Sequence, residues 1–251
     1  MSSKKNILVV GDSFTIGQGC SDSPADQPSP ESLMPSQYCW PTLLANDLSN
    51  TANVINVARR GNSQSGIFVN VIEHCRNDSI YQKSIDMIIF AGTSISRVQI
   101  PSIGRLQIPD YKDSNSVSNW VIGARNEDEP DYILRAKEHY IKYLINDTIL
   151  ETNAITSLLA AYGFARANNI DFLWSTPRIG TVQFEQGLGP ITNLEFNSMM
   201  CYDFSGVNDL AFNRTCIVSD SDTHPNDLGH QIYYNNVIKV QLLPKLGLLG
   251  Y

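Results

Sequence analysis

The chain distributes its apolar residues in two patterns. One uninterrupted apolar run occurs at Ile7 to Val10, and mostly apolar runs occur within Val54 to Ala58, over "IDMIIFA" from Ile85 to Ala91, and at Ile170 to Trp174. Residues apolar on consecutive positions suit a central parallel strand covered on both faces, so the first run is read as such a strand over Asn6 to Gly11, the third as a buried strand, and the second and fourth as strands. Between the runs, apolar residues recur every three or four positions. This holds over Tyr38 to Leu48 (Trp40, Leu43, Leu44, Leu48), over Ile67 to Cys75, and over Asp131 to Asn168 with a break near Asn146-Asp147. That spacing lays one face of a helix on a core. A last helix is expected to start near Asn226 or Asp227. Strands alternating with helices predict a parallel sheet with helices on both faces.

Three stretches have no clear period. Cys20 to Gln37 is rich in Ser, Pro and Asp and reads as a surface loop. Ile95 to Pro130 is long for a connection in a compact domain, which predicts a functional cover or a small inserted substructure. Arg178 to Thr215 reads as irregular. With no repeat and no linker, residues 1–251 are expected to form one domain carrying irregular insertions near 20–37, 95–130 and 178–215. Ligands bind at the carboxyl ends of the strands in such sheets. Ser13, Gly61 and Gly92 to Ser94 all follow predicted strands, so they should meet on one rim.

Composition narrows the function classes. A hydrophobic fraction of 42% and a charged fraction of 17% are ordinary for a globular chain. The net charge of −7 argues against nucleic-acid or anionic-membrane partners, which need basic surface. The apolar run after Lys5 is too short for a signal-peptide core, and no stretch approaches the ~20 residues of a membrane span, so a cytoplasmic protein is expected. Cys20, Cys39, Cys75, Cys201 and Cys216 form no CxxC pair. They read as free thiols, with no metal site and no cofactor implied.

The opening "GDSFTIG" is the first candidate for chemistry. It is not a P-loop, because Gly11 and Gly17 enclose five residues and Gln18 stands where the lysine belongs. Nor is it a GxSxG elbow, since Thr15 takes the last glycine position. What remains is a G-D-S turn closing the first strand, with Asp12 organising the turn. A serine hydroxyl needs a base to become nucleophilic, and histidine is the usual one. Of the four histidines, His74 and His139 lie in helical segments, and His230 falls inside the last helix as a packing or hydrogen-bonding residue. His224 sits in "SDSDTHPND", a polar turn with acidic neighbours that could orient an imidazole. Arg97 is a candidate clamp for an anionic group but reads as a surface arginine. Trp120 and Trp174 are candidate sugar-site residues, with Trp174 more at home in the core.

Taken together, these blocks resemble the GDSL-type, or SGNH, hydrolases. "GDSFTIG" matches the nucleophile block at Ser13, Gly61 in "NVARRGNSQSGI" the second block, "GTSI" the third, and "DTHPN" the fourth. The match spans most of the chain, and its first block is specific. Two positions depart from the pattern. Ser94 stands for the third-block asparagine, with Ile95 after it. At the fourth block Asp222 gives DxH, because the DxxH position is Ser221. The resemblance implies a flavodoxin-like three-layer α/β/α sandwich. It implies a serine-dependent esterase for acyl or O-acetyl groups on a small-molecule or saccharide ester. Ser13 would be nucleophile, His224 base and Asp222 the orienting acid, with Asp220 as the alternative acid. The oxyanion would be held by the Ser13 and Gly61 N–H groups and by Ser94, with Thr93 or a water as substitutes. An O-acyltransferase using the same triad is an alternative. So is a non-catalytic carbohydrate-binding or structural protein, a virion protein included, because a serine at the third block is similar to some phage-encoded members.

Overall fold

A computed structural model describes residues 4–23, 34–75, 84–93, 97–100, 118–121, 147–175, 214–219, 222 and 224–242. Four strands form a parallel sheet: β1 (Lys5–Val10), β2 (Ala52–Asn56), β3 (Met87–Ala91) and β6 (Asp171–Ser175), in the order β2-β1-β3-β6. A second, antiparallel pair joins β4 (Arg97–Ile100) to β5 (Ser118–Val121). The helices are α1 (Ser13–Ile16), α2 (Trp40–Asp47), α3 (Gln64–Cys75), α4 (Asp147–Ala167) and α5 (Asp227–Tyr233).

Side chains alternate across β1, and the two sets build two cores. Ile7 and Val9 pack with Trp40 and Leu44 of α2, Met87 and Ile89 of β3, and Tyr233 of α5. Leu8 and Val10 pack on the opposite face with Ile67 and Val71 of α3, Ile88 and Phe90 of β3, and Leu158 and Ala161 of α4. All four β1 residues are fully buried, which is why the run is apolar without interruption. The result is the three-layer arrangement expected from the alternation of strands and helices. Chain order places β2 on one side of β1 and β3 on the other, so the connections diverge at the carboxyl ends of β1 and β3, where open α/β sheets form their crevice.

Several boundaries differ from expectation for identifiable reasons. β2 begins at Ala52 and ends at Asn56, two residues earlier than its apolar run suggests. Its polar start is tolerated because Asn53 Nδ2 donates to Asn6 Oδ1 across to β1, at 2.9 Å. α3 begins at Gln64 rather than Ile67, because Ser63 Oγ accepts from Gly66 N at 3.2 Å and caps the first turn. Within Ile95 to Pro130, the described residues form the antiparallel β4–β5 pair. Its strands are four residues each, too short for their alternation to stand out in sequence.

At the described ends of the expected surface loop Cys20 to Gln37, Ser21, Asp22, Met34 and Gln37 are exposed. Cys20, Ser23 and Ser36 are buried there. Ser36 N donates to Ile16 O at 2.9 Å and Ser36 Oγ to Asp22 Oδ1 at 2.5 Å. The buried Ser36 thereby has its polar groups satisfied. The helical expectation over 131–146 and the irregular one over 178–213 lie outside the described residues.

The last helix departs from a single α-helix. α5 starts at Asp227 with Asn226 as its cap, and from Tyr234 to Leu242 the chain continues as a π-helix. An i→i+5 pitch brings residues five apart towards one side. Tyr234 Oη and Lys239 Nζ accordingly meet the same oxygen, Oδ2 of Asp47 at the end of α2, at 2.6 and 2.9 Å.

Candidate active site

Ser13 is placed by the end of β1. Asp12 leaves the strand in an extended conformation, and its Oδ1 accepts from Phe14 N at 3.0 Å, capping the short helix that Ser13 begins. Gly11 is required just before it, because a Cβ there would lie 2.2 Å from Thr15 Oγ1. Gly17 ends the helix in the left-handed region at φ 88. Ser13 itself is 1% exposed.

His224 reaches Ser13 from the other end of the chain. Its strand-like turn is held by Val218 N donating to His224 O and Ser219 N donating to Asp222 O, both at 3.0 Å. Asp222 N in turn donates to Ser219 Oγ at 3.0 Å. His224 Nε2 lies 3.0 Å from Ser13 Oγ, and Nδ1 lies 2.5 Å from Asp222 Oδ1. The same carboxylate oxygen accepts from His224 N at 3.1 Å, so the DxH spacing lets one aspartate hold both the backbone and the ring. Burial works to raise the Asp222 carboxyl. The hydrogen bonds from the His224 side chain and backbone, with the imidazole's charge, outweigh it and hold the group below its ordinary value. The Phe14 ring packs 5.0 Å from the imidazole at 31°. Gly19 provides the space behind His224, since a Cβ on it would come within 2.9 Å of His224 Cβ.

Gly61 follows β2 at φ 66, in the left-handed region that favours glycine. Its neighbours tie the loop to the first strand: Arg59 N and Asn62 Nδ2 both donate to Gly11 O at 3.2 Å. After β3, Thr93 donates its hydroxyl to Asp12 Oδ2 at 2.6 Å. A hydroxyl has one proton to give, and that of Thr93 is directed at Asp12. Ser13, His224 and Asp222 are thus brought together, and the ends of β1, β2 and β3 meet. Ser94 and the alternative acid Asp220 lie outside the described residues, as do Ser221, His139 and Cys201.

Asp12 does more than organise its own turn, because its second oxygen also anchors the end of β3. Sequence reasoning missed the buried bonds of Asn62 and Gln64 and saw in Thr93 only a substitute oxyanion donor. Asn62 and Gln64 lie in the block that carries Gly61, where nothing in the pattern announces a side-chain role for them. His230 is fully buried and accepts from Trp40 N through Nδ1 at 3.4 Å, as a packing residue should. Trp174 is core, 3% exposed. Arg97 and Trp120 lie in β4 and β5, and their side chains fall outside the described residues. Cys20, Cys39, Cys75 and Cys216 are free thiols. Among the described residues no group of three or more His, Cys, Asp or Glu could hold a metal ion. No helix among them is long and apolar enough to cross a membrane.

The α/β fold with its parallel sheet matches those of SGNH hydrolase structures. Its structural neighbours are esterases of this kind and carbohydrate esterases, similar over nearly the whole chain at low identity. The psychrotrophic esterase EstA from Pseudoalteromonas sp., in a structure inhibited by monoethylphosphonate, is 11% identical. That match covers 97% of this chain and 100% of that one with a TM-score of 0.56. TesA is 12% identical over 98% of this chain and 100% of its own, with a TM-score of 0.52. A carbohydrate esterase whose active site displays divergent catalytic and non-catalytic binding functions is 13% identical over 99% of this chain and 68% of its own, with a TM-score of 0.52. No protein-family model and no curated protein matches the sequence.

Proposed function

We propose that the protein is a serine-dependent ester hydrolase acting on acyl or O-acetyl esters. The observation that carries this reading is the continuous path from Ser13 Oγ through the two ring nitrogens of His224 to Asp222, at 3.0 and 2.5 Å. Ser13 Oγ attacks the ester carbonyl while His224 Nε2 takes its proton. Asp222 holds the ring through Nδ1 and stabilises the imidazolium that forms. The Ser13 and Gly61 N–H groups and Ser94 hold the oxyanion. The leaving alcohol receives the proton from His224, and water, deprotonated by the same imidazole, releases the acid and restores Ser13. The esterases among the structural neighbours support the reaction class, and the carbohydrate esterase among them makes an acetylated saccharide a substrate to try.

A fluorophosphonate probe tests the nucleophile. The wild-type protein should be labelled at Ser13, and the Ser13→Ala variant should not. Equal labelling of both proteins, or none in the wild type, would remove the serine-hydrolase reading.

A further inference from the structure

Three loops from three strand ends must hold oxyanion donors within a fraction of an ångström, although loops are the least constrained parts of a fold. A set of buried side chains joins these strand ends into a ring. Asn62 Nδ2 donates to Gly11 O at 3.2 Å, tying the Gly61 loop to the end of β1. Two residues on, Gln64 Nε2 donates to Thr93 O at 2.9 Å, tying the start of α3 to the end of β3. Thr93 Oγ1 donates to Asp12 Oδ2 at 2.6 Å, and Asp12 is bonded through the chain to Gly11, so the path closes on itself. Asp12 Oδ1 extends it to Phe14 N, in the turn that carries Ser13. Asp12, Asn62, Gln64 and Thr93 are 4%, 3%, 5% and 1% exposed, so solvent scarcely competes for these bonds.

We propose that Asn62, acting through Gly11, and Gln64 and Thr93, acting through Asp12, are positioning residues that fix the Ser13 turn and the Gly61 loop relative to each other, and so aim the oxyanion-binding groups. The proposal rests on the esterase reading above. None of the three touches the reacting atoms. Their effect passes through the ring: Thr93 fixes the carboxylate that caps the Ser13 turn, Gln64 fixes the strand end that Thr93 belongs to, and Asn62 fixes the loop that presents Gly61. Misplacement by about an ångström in such a site can cost on the order of 100-fold in rate. Binding of the ground-state ester does not depend on the oxyanion geometry to the same degree.

The test compares Thr93→Val, which keeps the shape and removes the hydroxyl, with Thr93→Ser, which keeps the hydroxyl. Gln64→Met serves as a second, independent break in the ring. Each is assayed for short-chain ester turnover and for the fluorophosphonate labelling rate, with the folded fraction taken from urea unfolding. Thr93→Val and Gln64→Met should lower kcat per folded enzyme by about 10- to 100-fold with KM near wild type. Thr93→Ser should recover most of the loss. If unfolding midpoints fall while kcat per folded enzyme stays at the wild-type value, the positioning role is overturned and the esterase reading stands. Failure of Thr93→Ser to recover activity overturns it as well. A wild-type protein that does not label at Ser13 removes both.

Discussion

His224 and His230 lie six residues apart, and their surroundings give them opposite chemistry. His224 sits in a polar turn with one nitrogen at Asp222 and the other at Ser13. His230 is fully buried, and its Nδ1 accepts from the first N–H of α2, whose cap residue Cys39 offers no side-chain bond. Burial, with a smaller contribution from nearby His224 and against the pull of Asp227, pushes the His230 imidazole down to about 3. A depressed imidazole gives the protein a pH-dependent stability. Below the ordinary value the unfolded chain takes a proton that the folded chain refuses, so stability falls as the pH drops from about 6.5 towards 3. The loss amounts to about 1 kcal/mol per pH unit from this group. Urea midpoints measured between pH 7 and pH 4.5 should therefore fall more steeply for wild type than for His230→Asn, which keeps an acceptor near Nδ1 and cannot be protonated. Parallel slopes in the two proteins would show that His230 does not titrate in this way. The polar surroundings of His224 were legible in sequence from its acidic turn, and the packing of His230 from its place inside a helix.

At the scale of elements, the start of α5 is tied to the segment that leads to His224. Asn226 Oδ1 accepts from Gly229 N at 3.0 Å and caps the helix, while Nδ2 donates to Thr215 O and Ile217 O at 2.6 and 3.1 Å. One side chain thus joins the helix to the turn that carries Asp222 and His224. Loss of a cap of this kind costs about 1 kcal/mol. Asn226→Ala should lower the free energy of urea unfolding by that much and also slow ester turnover, because the segment leading into the turn loses its bonds from Asn226 to Thr215 O and Ile217 O. Asn226→Asp keeps the cap and loses the two donated bonds, so it should restore the midpoint more than the activity. The helix start itself was readable from Asn226-Asp227. The bonds to Thr215 and Ile217 were not, because a cap residue announces the helix it begins and says nothing about the loop it also reaches. The π-helical stretch after Tyr233 was equally unreadable, since Tyr234 and Lys239 share Asp47 only once α2 lies alongside.

Across the whole molecule, the thiols report on how completely the two cores are closed. Burial pushes the Cys20 thiol up to about 12 and the Cys75 thiol up to about 11, and Cys39 is raised by the same cause. The thiolate is the reactive form, so native protein should react slowly with a disulfide reagent at these positions and quickly once unfolded by urea. The unfolding midpoint should not change on adding reductant, because Cys20, Cys39, Cys75 and Cys216 are unpaired. A midpoint lowered by reductant would reveal a disulfide and contradict this arrangement.

The apolar runs and helical spacings were enough to specify an α/β fold with a parallel sheet, since uninterrupted burial of β1 and β3 requires helices on both faces. Ser13, Gly61, Asp222 and His224 drew attention as candidates because each sits at a punctuation point, a strand end or a polar turn, where the apolar pattern breaks. Tertiary structure alone decided that His224 meets Ser13 across 211 positions of chain, and that Asn62, Gln64 and Thr93 join three strand ends into one ring. The reason is physical. Burial of an apolar face leaves a period along the chain, whereas a hydrogen bond between distant loops depends on where the sheet brings their ends.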